Sequence, residues 1–212
     1  MTQCAVLTFG IYNDAENHPL FHNEDSGELW AKRNLQKRYD AYNAMLDNGT
    51  RMLSGVGAIN RWIDKVVTTY NPYLTAYNIN FDLGKCANTG IDLTMFADRQ
   101  FCLWYASVAK WAFTKKYKNF ALLVNAINKP TRPSEHFPAG NCSFKTNAET
   151  MTRFVTNQPY LEDEPHTALE DVLYYELPIL KKLVKTQKKE KWLNPPSFNW
   201  RDVQLRDHFI SL

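Results

Sequence analysis

The stretch that most constrains this chain runs from Thr50 to Tyr77. Met52, Val56, Ile59, Ile63, Val66 and Tyr70 recur at alternating steps of four and three. That spacing predicts an amphipathic helix over residues 50–70 with one continuous apolar stripe, which must lie on something large. Asn71-Pro72 ends it, because a residue before proline is pushed out of the helical region. Tyr73-Leu-Thr-Ala-Tyr77 is then a short apolar run between Pro72 and polar Asn78. It reads as a buried strand. Helix, tight turn and buried strand together predict an α/β layer architecture, a mixed sheet flanked by helices.

The remaining segments fit around that unit. Cys4–Phe9 is β-branched and aromatic and stops at Gly10, so it reads as a strand. Residues 12–19 are polar and end on Pro19, a loop. A helix is expected over 27–46, stopped by Asp47-Asn48-Gly49. Phe101–Trp104 is either a strand or the start of a helix, and periodicity leaves both open. Residues 105–128 read as mostly helical, with Lys115, Lys116 and Lys118 on the wet face. Residues 129–145 hold three prolines and a glycine and read as a loop. Thr146-Asn-Ala-Glu149 and Thr167-Ala-Leu-Glu170 are capping-box patterns. They open helices to about residues 155 and 185, and Pro178 is expected to kink the second. Residues 1–191 are read as one domain. The tail 192–212 carries Trp192, Phe198, Trp200, Phe209 and Ile210 and is expected to pack back on it.

Composition narrows the class. With 212 residues, 44% hydrophobic and 14% aromatic, the chain can bury one sizeable core, which excludes intrinsic disorder. No apolar run approaches the roughly 20 residues of a membrane span. The first residues lack the charged start and apolar stretch of a secretory signal, so no membrane role and a cytoplasmic location are expected. The net charge of +3 neither demands nor excludes a nucleic-acid partner. Cys4, Cys86, Cys102 and Cys142 show no C-x-x-C pair, and the five histidines are scattered without H-E-x-x-H. A dedicated zinc enzyme is therefore not expected, and the cysteines read as buried or free thiols.

Two segments carry chemistry. In Thr75–Asp82 a carboxylate follows the buried strand, beside Asn78 and Phe81. In Glu164–Asp171, His166 precedes a helix cap and Asp171 lies in the first turn. Carboxylates are hard oxygen ligands suited to Mg²⁺ or Mn²⁺. A histidine at a helix mouth can take a proton from an attacking water. Two such ions about 4 Å apart stabilise both the attacking and the leaving oxygen of a phosphodiester.

Each residue also has a plainer reading. Asp82 is a common turn or capping residue after a strand. Asp171 is where the helix dipole favours an acid. A lone His166 is usually a surface loop histidine, and Glu170 is assigned to capping. The lysines from 181 to 191 suit a solvated helix end as well as a nucleic-acid backbone. Trp104-Tyr105 and Tyr174-Tyr175 suit core packing as well as base stacking.

Tyr77-Asn78-Ile79-Asn80-Phe81-Asp82 and His166-Thr-Ala168-Leu-Glu-Asp171 resemble, in this order, the second and third motifs of the DEDDh group of 3′–5′ exonucleases. Residues 40–212 also look like phage-encoded members, down to the ending Asn199-Trp200-Arg201 and Arg206-Asp207-His208-Phe209. The resemblance implies a ribonuclease-H-like fold and hydrolysis of DNA or RNA 3′ ends with two Mg²⁺ or Mn²⁺ ions. It implies Asp82 and Asp171 as metal ligands, His166 as general base and Asn78 as a substrate- or ligand-positioning residue. For a phage-encoded member the location is the host cytoplasm.

The family's first motif, Asp-x-Glu on the first strand, is the departure. Its candidates here, Asp14 and Glu16, sit between Asn13 and Asn17 near Pro19, a loop context. Residues 17–50 also supply no further strands before the long helix. Ala5–Phe9 then corresponds to the family's third strand, and the N-terminal strands are expected to lie upstream of Met1. Two carboxylates cannot reproduce a two-metal site, so the chain by itself is expected to show little nuclease activity. The alternative is a nuclease-dead nucleic-acid-binding or regulatory module. The sequence leaves DNA against RNA, strandedness and oligomeric state open.

Overall fold

The computed structural model describes residues 40–128, 143–159 and 168–198, with 42 and 53 excepted. Helix α1, Val56–Tyr70, leads into strand β1, Leu74–Ala76. Helix α2, Ile79–Asn88, a 3₁₀ turn at Thr94–Phe96 and strand β2, Gln100–Cys102, follow. Helix α3, Leu103–Ser107, continues into a π-helical stretch, Val108–Ala112. Then come α4, Lys115–Leu123, and α5, Ala148–Thr156. The last helical run joins α6, Ala168–Glu170, a π-helical stretch, Asp171–Glu176, and α7, Leu177–Thr186, and is followed by α8, Lys189–Leu193.

The architecture is mixed α/β, mostly helical. β1 and β2 pair in parallel, Thr75 opposite Phe101, and α2 provides the crossover that parallel strands require. An isolated antiparallel bridge joins Ile127 to Phe144.

The α1 reading holds in type and needs correction at its start. The helix begins at Val56, not Thr50, and Met52 is 86% exposed. Gly55 takes an extended backbone at the N-cap, which stops the helix from running back. Of the stripe, only Ile63 is fully buried; it packs with Cys86, Ile91 and Phe96 in a small core. β1 is half-buried rather than buried. The open choice at Phe101–Trp104 resolves into both alternatives, because the strand ends at Cys102 and the helix starts at Leu103. The first capping box is displaced by one residue. Asn147, not Thr146, is the N-cap of α5, and its Oδ1 accepts from Thr150 Oγ1 at 2.6 Å.

The main core gathers Leu103, Val108 and Tyr117 with Met151, Ile179 and Leu183, all completely shielded from solvent. Burying side chains of this size contributes about 1.5–3 kcal/mol each. Trp192 joins this core, its ring 4.7 Å from that of Phe101. Phe198 stacks on Tyr105 with ring centroids 4.5 Å apart. The strand read at Cys4–Phe9, the first part of the helix read at 27–46, most of the 129–145 loop and the tail beyond residue 198 lie outside the described residues.

Around Pro178 the helix changes register. Pro178 has no N–H to give to the preceding turn. The chain meets this with a π-helical register over Asp171–Glu176, in which the Leu177 N–H reaches back to the Val172 carbonyl. Thr152 of α5 adds a buried bond, its Oγ1 donating to the Tyr175 carbonyl at 2.7 Å.

Candidate functional site

β1 ends at Ala76, and the chain turns through Asn78 in the left-handed conformation, φ 70° and ψ 53°. Asparagine tolerates that region better than other side chains. Asn71 and Asn157 use the same conformation to end helices, whereas Asn78 begins one. Its side chain does not cap α2, and the residue is exposed.

Asp82 follows in the first turn of α2, where the helix dipole favours a carboxylate. The residue keeps access to solvent, yet the protein around its carboxyl strips away enough water to raise the pKa above the ordinary value. The Asp171 charge raises it further. Asp171 opens the π-helical stretch and is half-buried. Two carboxylates 89 positions apart in the chain thus lie within range of each other's charge.

A third carboxylate joins them. Glu176 closes the same π-helical stretch, and its Oε1 accepts the Tyr77 backbone N–H at 3.0 Å. Burial pushes its pKa up to about 7, and the Asp82 and Asp171 charges add to the rise against the lowering pull of the Tyr77 bond. Residues five apart on an α-helix point about 140° away from each other. On a π-helix, bonded from i to i+5, they return to nearly the same side. The π register is thus what lets Asp171 and Glu176 serve one region. No sequence motif marked Glu176; the nearest signal is Pro178, two residues on, whose missing N–H interrupts the regular helical ladder.

Tyr77 anchors the turn. Its hydroxyl donates to the Thr146 carbonyl at the entrance to α5, and burial holds the phenol well above its usual pKa. Phe81 and Tyr174 are 60% and 58% exposed, and Lys85 Nζ lies 5.3 Å from the Phe81 ring centre. The two aromatic pairs separate. Trp104 donates to Thr146 Oγ1 and Tyr105 stacks on Phe198, so both pack inward, whereas Tyr174 faces out and Tyr175 is buried. Lys181, Lys182, Lys185, Lys188, Lys189 and Lys191 are all exposed.

His166, Asp14 and Glu16 lie outside the described residues. Among the described residues, no three His, Cys, Asp or Glu side chains form a group that could hold a metal ion. Cys86 and Cys102 are free thiols, and among the described residues no helix is long and apolar enough to cross a membrane. An open apolar groove of about 440 Å³ runs past Leu83, Ala87, Ile91 and Leu93, and none of the candidate residues lines it. No protein-family model, curated protein or solved structure matches the chain.

Proposed function

We propose that this chain is a 3′–5′ exonuclease-type protein of ribonuclease-H-like fold, acting on DNA or RNA 3′ ends with Mg²⁺ or Mn²⁺. The observation that carries this reading is the coupling of Asp82 to Asp171 across the fold, which puts the two motif carboxylates in one electrostatic environment. Their oxygens have the donor chemistry of a hard divalent cation. Asp82 and Asp171 would hold that cation. When bound, it supplies positive charge opposite the phosphoryl oxygens.

The chain's own residues then divide the work. Asn78, exposed and fixed by its left-handed backbone, offers its amide to the substrate or to a ligand. His166 takes the proton of the attacking water. The test is a 5′-labelled single-stranded oligonucleotide with Mg²⁺ or Mn²⁺, the parent run beside Asp171→Ala. Slow stepwise shortening from the 3′ end, lost in the variant, is the expected result.

A further inference from the structure

We infer that Glu176 is the positioning residue of this centre, tying the turn that carries Asp82 to the helix that carries Asp171. The inference rests on the reading of those two aspartates as metal ligands. Glu176 and Asp171 end and begin one π-helical stretch, Asp171–Glu176. Across 99 positions of sequence, Glu176 Oε1 accepts the N–H of Tyr77, the residue directly before the left-handed turn at Asn78. That turn sets the direction of α2, whose first intrahelical bond runs from the Phe81 N–H to the Asn78 carbonyl at 2.9 Å. Holding the Tyr77 amide therefore fixes where α2 starts and where it presents Asp82. The same end of the π-helical stretch is held a second time, by the buried bond from Thr152 Oγ1 to the carbonyl of Tyr175, the residue directly before Glu176. The turn before Asp82 and the π-helical stretch that Asp171 opens are thereby joined through one hydrogen bond.

The role belongs to an acceptor oxygen, so it separates from a ligand role by one substitution. Glu176→Gln keeps an oxygen in reach of the Tyr77 N–H, and Glu176→Ala removes it. The experiment is Mn²⁺ binding by electron paramagnetic resonance on the full chain, for the parent, Asp171→Asn, Glu176→Gln and Glu176→Ala. Loss of an orienting partner costs on the order of tenfold in metal affinity. Asp171→Asn and Glu176→Ala are therefore expected to bind at least about tenfold more weakly, with Glu176→Gln within about threefold of the parent. Glu176→Ala binding like the parent, or Glu176→Gln binding as weakly as Glu176→Ala, overturns the inference. Should the parent and Asp171→Asn bind Mn²⁺ alike, the metal reading has failed, and amide hydrogen exchange decides the positioning role. Faster exchange at Tyr77 and Phe81 in Glu176→Ala, restored in Glu176→Gln, upholds it; unchanged exchange in Glu176→Ala overturns it.

Discussion

Glu176 and Tyr77 meet through one hydrogen bond, a side-chain oxygen accepting a backbone N–H at 3.0 Å. That contact joins the end of a π-helix to the end of a strand, and it seats a part-buried carboxylate within range of the Asp82 and Asp171 charges. Burial outweighs the bond, so the Glu176 carboxyl rises to about 7 from its ordinary value of 4.5.

The sign of the resulting pH dependence follows. An acid whose pKa is raised by folding contributes stability that is fully present below its unfolded value and is lost as pH climbs through the folded one. Stability is expected to fall by on the order of 2 kcal/mol between pH 4.5 and pH 7 from this group alone. Asp82, raised for the same reasons, acts in the same direction. Chemical denaturation at a series of pH values checks this; Glu176→Gln flattens the slope over that window, and an unchanged slope rejects the shift.

Asn78 separates backbone from side chain. Its left-handed conformation costs a non-glycine residue roughly 1 kcal/mol, and glycine nothing. Asn78→Gly is therefore expected to leave the melting temperature within a few degrees of the parent while lowering kcat/KM on an oligonucleotide. Asn78→Ala lowers both. Equal kcat/KM in parent and Asn78→Gly would remove this residue from substrate handling.

Thr152 is buried with its hydroxyl on the Tyr175 carbonyl. Thr152→Val keeps the shape and deletes the donor, an expected loss of about 1–3 kcal/mol. Because Tyr175 lies between Asp171 and Glu176, the same variant is expected to weaken Mn²⁺ binding. A urea titration and the Mn²⁺ measurement read the two effects separately.

Much of the fold was legible wherever a local rule acted alone. The helix ending at Tyr70, the stop at Asn71-Pro72 and a strand after it follow from periodicity and proline sterics and are observed, but the stripe buries fully only at Ile63 and the strand is half-buried. The start of α1 was misread because Met52 continues the stripe in sequence yet stays on the surface; periodicity reports a face and not where a helix begins. Asn147 took the cap from Thr146 because both residue types cap well. At the site, Asn78, Asp82 and Asp171 were marked by spacing. Glu176 was not, because its relation to Asp171 depends on a π register that α-helical spacing disguises. Its bond to Tyr77 spans the chain and leaves no local trace.

The most direct test of the account is the fate of a 5′-labelled single-stranded oligonucleotide incubated with the full chain and Mn²⁺, beside Asp171→Ala. The account predicts slow shortening from the 3′ end by the parent, at the low rate expected of an incomplete metal site, and none by the variant. An intact oligonucleotide with the parent, or the same shortening by both proteins, would contradict it.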